Sequence, residues 1–337
     1  MKSVFLERLG ETIFALYEND KIIELKINRF HQNVKVGQEY IARIKTIDLR
    51  ISSAFVDLGM EQAILPFNAP RPKYIVEGAL LIVKITSPKF LGKLAVSKYI
   101  GDASTKYQNP ELLKDAAEWG NWPIPQAATQ DEMNEILIAI ENAQNPIIGL
   151  KNGGTLAIET TRAMTTIDID AGIRKSGGSN QNNFNHKLNI EAANEIIKQI
   201  RLRNISGLII IDFVGKPSKF EAKELNEILQ NELPKSGKIE ILPISKFGLC
   251  EIARARNGTS INDIINANPQ ETLVINALNS LCSRLRSAKG DVVKLVLSIN
   301  SYQFLQIWNF DWKNYINEKI GGLYTINPAN IEGFEIS

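Results

Sequence analysis

Two short apolar segments that each end in aspartate, joined through an amphipathic helix, narrow the possible folds of this chain more than any other stretch. Thr165-Thr166-Ile167-Asp168-Ile169-Asp170 alternates polar and apolar residues. That period of two predicts a strand with Asp168 and Asp170 on one face and both isoleucines on the other. Leu208-Ile209-Ile210-Ile211-Asp212 is a continuous apolar run, the pattern of a strand buried on both faces. Between them, residues 189–203 set Ala193, Ile196, Ile197 and Ile200 at helical spacing. Glu191 falls in the first turn, Arg201 and Arg203 in the last, and Gly207 follows the stop, as the helix dipole favours. Strand, helix and strand in that order predict one crossover with parallel strands. Asp168 and Asp212 then stand at the carboxyl ends of neighbouring strands, where open α/β sheets bind ligands. Two carboxylates placed there repel, so either one keeps its proton or a cation neutralises both. A shared cation is the expectation.

The composition restricts the chemistry further. With 337 residues, 44% hydrophobic and 23% charged, the chain is of ordinary soluble globular type, with room for two or three modest domains. It contains no run of ~18 apolar residues, so no membrane span is expected. Charges follow Met1 too soon for a secretory signal, which points to the cytoplasm. Cys250 and Cys282 are far apart and in no paired motif, so neither a structural zinc nor a disulfide framework is expected. His31 and His186 are the only histidines. A histidine acid–base pair is hard to assemble from them, and metal chemistry gains weight.

Upstream, residues 11–28 predict a β-hairpin turning at Glu18-Asn19-Asp20. From Val36 to Tyr99 five short strands are predicted (Tyr40–Ile47, Ile51–Asp57, Gln62–Leu65, Leu80–Ile85 and Leu94–Val96) with glycines at the turns, the size and pattern of an OB barrel. Net charge is only +2, but Lys35 to Lys98 carries ten Lys/Arg against five Asp/Glu. Phe55, Phe67, Tyr74 and Phe90 are interleaved with Lys45, Arg71, Lys89 and Lys93, a combination suited to single-stranded RNA. Any one of these aromatics fits barrel core equally well. Helical patterns at Pro110–Trp119 and Gln130–Ala143 flank a break at Trp122-Pro123-Ile124-Pro125, with the tryptophans read as packing anchors.

Gly153-Gly154-Thr155-Leu156-Ala157-Ile158-Glu159 and Ala163 to Asp170 resemble the catalytic segment of the bacterial ribonuclease E/G family. The resemblance continues through Ile190–Ile196, Gln199–Arg203, Gly207–Phe213 and Ile244–Glu251. Ser53-Ala54-Phe55-Val56-Asp57-Leu58-Gly59 is similar to that family's S1 domain, itself an OB barrel. The resemblance implies an endoribonuclease acting on single-stranded RNA, leaving 5′-phosphate and 3′-hydroxyl ends, in RNA processing or decay. It implies Mg²⁺, or Mn²⁺ in its place, held by Asp168 and Asp212, with Asp170 beside them in the catalytic set. Phe55 matches a base-contacting aromatic, and Lys93 falls in a basic strand-end loop.

The implied fold class is α+β multidomain. Residues 1–33 form a hairpin region, 34–100 the S1-type barrel and 101–145 a helical linker. Residues 146–256 form an α/β subdomain like deoxyribonuclease I, and 265–337 a small α/β domain that in the family helps form a dimer. This chain departs from the pattern in several places. Asp170 stands where asparagine is usual, and an ionised carboxylate cannot donate a hydrogen bond. Gly215 replaces a frequent second acid, no 5′-sensor domain is recognisable, and Asn257–Asn262 occupies the place of the zinc-binding cysteines. Arg174 and Lys175, in a polar loop from Gly172 to Asn185, together with Lys216 and Lys246, are candidate RNA contacts. An ordinary mobile loop fits the first pair as well. His186 is read as a loop residue, and residues after Phe247 as a helix carrying Arg254 and Arg256. Three functions stay open, in this order: a metal-dependent endoribonuclease, a catalytically weak or inactive RNA-binding protein of the same family, and a DNA phosphodiesterase.

Overall fold

The computed structural model describes residues 1–30, 34–89, 92–117, 119–120, 122–172, 179–233, 239–256, 258–288 and 290–337, with side chains at 179–182 excepted. Strands β1 (Lys2–Arg8), β2 (Glu11–Glu18) and β3 (Lys21–Arg29) form an antiparallel meander. The β2–β3 hairpin turns where the sequence predicts. Asn19 and Asp20 both have positive φ, 49° and 58°, as the tight turn that matches strand twist requires. β1 goes beyond the predicted hairpin.

Strands β4 (Glu39–Asp48), β5 (Ser53–Asp57), β6 (Gln62–Pro66), β7 (Leu80–Ser87) and β8 (Ala95–Asp102) run in the order β5-β6-β8-β7-β4, and β4 pairs back onto β5. The result is a closed five-stranded, OB-like barrel filled by Ile44, Ala54, Val56, Leu65, Val83 and Ile85. The described residues of the stretch Pro110–Trp119 are not helical. Glu111–Lys114 is a strand, β9, paired with Glu39–Ile41 of β4. β5 covers only Arg43–Asp48 of that edge, so the vacant backbone groups of β4 attract the segment more strongly than its weak helical preference holds it.

β10 (Gln126–Ala127) lies parallel to β1. Helix α1 (Gln130–Gln144) is opened by a capping box between Thr129 and Glu132 and buries Ile136, Ile140 and Ala143 against the first sheet.

The central sheet contains β11 (Ile147–Gly149), β12 (Thr155–Thr160), β13 (Met164–Asp170), β14 (Gly207–Asp212), β15 (Ile239–Ile241) and β16 (Leu249–Arg254), in the order β11-β12-β13-β14-β16-β15. Helices α2 (Ser179–Leu202) and α3 (Lys219–Glu232) pack on one face of it. β13, α2 and β14 are the predicted crossover, with β13 and β14 parallel. Three expectations are corrected. β14 is buried on one face only: Ile209 and Ile211 are covered while Leu208 is 39% exposed, because both helices lie on the same side. α2 begins before the expected start and takes in His186. Residues 249–254 form a strand rather than a helix, since Cys250, Ile252 and Arg254 bury at a period of two.

The remaining chain folds as α4 (Ile261–Ala267), α5 (Pro269–Ser287), β17 (Val293–Ser298), α6 (Ile299–Ile307), α7 (Trp312–Lys319), β18 (Tyr324–Ala329) and β19 (Phe334–Ile336). The last three strands make a small sheet in the order β18-β17-β19. α4 packs Ile261, Ile264 and Ile265 against the first sheet. A buried Arg29 ties that sheet to α5, reaching Glu271 at 3.2 Å and Thr272 at 2.7 Å, with Glu11 at 3.6 Å. No helix among the described residues is long and apolar enough to cross a membrane.

Candidate active site

Asp168 and Asp212 are direct register partners across the parallel β13–β14 pair. Neighbouring strands lie ~4.7–4.9 Å apart, so the two side chains leave the same face within reach of one small ion. That face is the one turned away from α2 and α3, and both residues are exposed on it. Neither carboxylate has a hydrogen-bond or ion-pair partner among the described residues. In the adjacent register row, Glu159, Thr166, Ile210 and Glu251 follow one another across β12, β13, β14 and β16. Glu159 and Glu251 are also exposed. The open face of these four strands is therefore acidic, and none of its strand positions carries a lysine or arginine.

The ends of β13 and β14 are held by local devices. Buried Asn189 of α2 exchanges two hydrogen bonds with the backbone of Val214, just beyond Asp212. Gly154 (φ 86°) lets the start of β12 close on the end of β13, where a Cβ would lie 2.6 Å from the Asp170 carbonyl oxygen. Gly248 (φ 89°) brings the turn before β16 against the loop after β14, where a Cβ would lie 2.9 Å from the Gly215 carbonyl oxygen. Phe213 N–H donates to the Gly248 carbonyl at 3.2 Å. Behind the sheet, Cys250 is the register partner of Ile211, and burial pushes its thiol up to about 12.

Asp170 lies on the same face two residues beyond Asp168, but its Oδ1 accepts a hydrogen bond from Gly172 N–H at 2.8 Å. No cluster of three or more acidic, histidine or cysteine groups able to hold a metal occurs among the described residues. Lys216 and Lys246 are exposed on the loops following β14 and preceding β16. Arg174 and Lys175 lie outside the described residues. In the barrel, Phe55 is half-buried on the outer side of β5 and Lys93 is exposed at the turn before β8, whereas Phe67 packs against the barrel core. Lys45 pairs with Asp57 at 3.1 Å and Tyr74 stacks on Tyr99 at 3.9 Å.

His186 sits in α2 between Glu221 and Glu224 of α3, at 3.7 and 3.2 Å. It braces two helices and is not a loop residue. Glu221 also caps α3, and its hydrogen bond from Ser218 N–H holds its carboxyl below the usual range. Arg254 is buried and donates to the Ile205 carbonyl at 2.6 Å, so it faces neither phosphate nor water. Asn189 and the acids Glu159 and Glu251 did not stand out in the sequence. Asn189 did carry a signal, being a polar residue on the same helical stripe as Ala192 and Ala193.

Residues 125–257 match the Ribonuclease E/G family. Over 190 residues the chain is 32% identical to a ribonuclease E/G-like protein of Porphyra purpurea, covering 56% of this chain and 36% of that one. It is 36% identical over 125 residues to ribonuclease E of Haemophilus influenzae, covering 37% of this chain and 13% of the relative. With ribonuclease G of Salmonella typhimurium it shares 37% identity over 136 residues, covering 40% of this chain and 27% of the relative. These matches span between 13% and 36% of the length of the three relatives. The family match holds both aspartates and leaves Ser53–Gly59 of the barrel outside it.

Proposed function

Because residues 125–257 belong to the ribonuclease E/G family, we propose that the chain is an endoribonuclease. Its substrate is single-stranded RNA, and Asp168 and Asp212 share a divalent cation. One observation carries this: within the family segment, two uncompensated carboxylates stand side by side at the ends of parallel strands. An oxygen-only donor pair on an acidic face suits Mg²⁺, which takes a few carboxylates and otherwise keeps water. When bound, the ion supplies positive charge to the phosphate and makes water a better nucleophile.

The chain's own residues do the rest. Asp168 and Asp212 fix the ion's place, and Asn189 fixes the strand end from which Asp212 projects. Lys216 and Lys246 attract the RNA backbone, and the barrel holds the strand upstream through Phe55 and Lys93. The products carry 5′-phosphate and 3′-hydroxyl ends. The small C-terminal sheet and its helices are the proposed dimer unit, which light scattering at micromolar concentration tests.

Labelled single-stranded RNA incubated with Mg²⁺ provides the test. Asp168→Asn and Asp212→Asn should each lose about a hundredfold or more in rate, the scale seen when one principal charge-stabilising group is removed. Undiminished cleavage by both variants would refute the assignment. A second reading, RNA binding with weak or no catalysis, draws on Asp170, whose Oδ1 is engaged by Gly172. Under it the wild type is slow, and Asp170→Asn restores a donor and raises the rate.

A further inference from the structure

An acidic face that gathers a cation also repels the phosphates of the strand it would cut. Glu159, Asp168, Asp212 and Glu251 share that face, so a substrate needs a grip nearby that does not depend on charge alone. The loops at the end of β14 and the start of β16 offer one. Phe247 is 78% exposed and Phe220, in the first turn of α3, is 75% exposed. The turn that carries Phe247 touches the loop leading into α3, since Pro217 Cδ lies 3.7 Å from the position of a Cβ on Gly248. Three exposed lysines, Lys216, Lys219 and Lys246, stand in the same two segments. A single apolar side chain in solvent needs no explanation. Two phenylalanines among cations, on the rim of a candidate phosphodiester site, do.

Phe247 is also held in place. The turn 245–248 is closed by Gly248 N–H to the Ser245 carbonyl at 3.0 Å. Ser245 Oγ accepts from Phe247 N–H at 3.3 Å and from Leu249 N–H at 3.2 Å. Leu249 is the register partner of Asp212, and the Gly248 carbonyl receives Phe213 N–H. The ring therefore projects from a backbone fixed two residues from the partner of a candidate metal ligand. A ring on a rigid stem loses little conformational entropy when a flat group covers it.

We propose that Phe247 is a stacking platform for one nucleobase of a single-stranded RNA, next to the phosphate presented to Asp168 and Asp212. The proposal rests on the reading of the site as an RNA-cleaving centre and adds a positioning residue to it. Stacking tolerates any base, so the platform sets where the strand lies rather than which sequence is chosen.

The test measures binding of a short labelled single-stranded RNA to the full chain in EDTA, where no strand is cut. It uses the intact oligonucleotide and a set in which each base in turn is removed to leave an abasic site. In the wild type, one abasic position should weaken binding by about 5- to 150-fold, the range for one base–aromatic stack. Phe247→Ala should weaken the intact RNA by a similar factor and abolish the penalty at that position alone, while Phe247→Tyr restores both. A thermal melt of Phe247→Ala matching the wild type separates lost contact from lost fold. An abasic profile identical in wild type and Phe247→Ala would overturn the platform and leave the nuclease reading standing. A wild type that binds no RNA in EDTA would overturn the platform, while the nuclease reading then stands or falls on cleavage of the same RNA with Mg²⁺.

Discussion

Asn189 holds Val214 by both of that residue's backbone groups. Its Nδ2 donates to the Val214 carbonyl at 3.1 Å, and Val214 N–H donates to its Oδ1 at 3.0 Å. A helix on the covered side of the sheet thereby fixes the strand end that presents Asp212 on the open side. Asn189→Ala leaves the half-buried Val214 N–H and C=O without their side-chain partner, a loss of ~1 kcal/mol or more. Urea unfolding should show that loss, and RNA cleavage should fall although residue 189 faces away from the acids. Unchanged stability would mean that the loop is held by other contacts.

Cation binding should be visible as stability. A ligand at a hundredfold excess over its Kd adds about 2.7 kcal/mol to folding, so Mg²⁺ should raise the wild-type melting temperature and leave Asp168→Asn unmoved. Without divalent ions the order reverses: Asp168→Asn is at least as stable as wild type, because neutralising one carboxylate removes the repulsion between partners. A wild type indifferent to Mg²⁺ and Mn²⁺ would count against a shared ion.

Gly248→Ala tests the contact between the loops after β14 and before β16. The residue has φ 89°, and a Cβ would lie 2.9 Å from the Gly215 carbonyl oxygen, a backbone atom that cannot swing aside. Backbone strain of this kind costs ~1–3 kcal/mol. A chemical melt should register it, with RNA binding weakened in parallel because Phe247 rides on the same turn.

Alkaline pH should destabilise the fold through groups buried in their neutral forms. Burial pushes Cys250 from 9.0 up to about 12. It also raises Tyr40 from 10.0 to about 12, with Asp115 adding to the shift. A folded-state value above the unfolded one means that the unfolded chain sheds its proton first. The contribution is complete below about 9 and is lost as pH climbs toward about 12. Stability against urea should fall across that window. Cys250 should resist thiol reagents in the native state and react on unfolding. Rapid native labelling of Cys250 would contradict its burial.

The crossover could be read in advance because its signals are local. Alternation in 165–170, helical spacing after Asn189 and the glycine at 207 each specify their own segment. The barrel strands and the turn at Asn19-Asp20 were legible for the same reason. Glu111–Lys114 was not, because its partner Glu39–Ile41 lies some seventy residues away and an open strand edge overrides a weak propensity. Residues 249–254 were misread although Cys250 and Ile252 alternate with Glu251 and Ala253; the short apolar run matched both periods.

By itself, the sequence determined most of the segments that become strands or helices and named the candidate acids, since periodicity, capping and turn residues act over a few positions. The exact register of Asp168 against Asp212, the choice of one covered face for α2 and α3, the acidic row completed by Glu251 and the exposure of Phe247 belong to the tertiary structure. Each depends on register between segments distant in the chain. Register is settled by how whole apolar faces pack, a property that no short stretch of residues possesses.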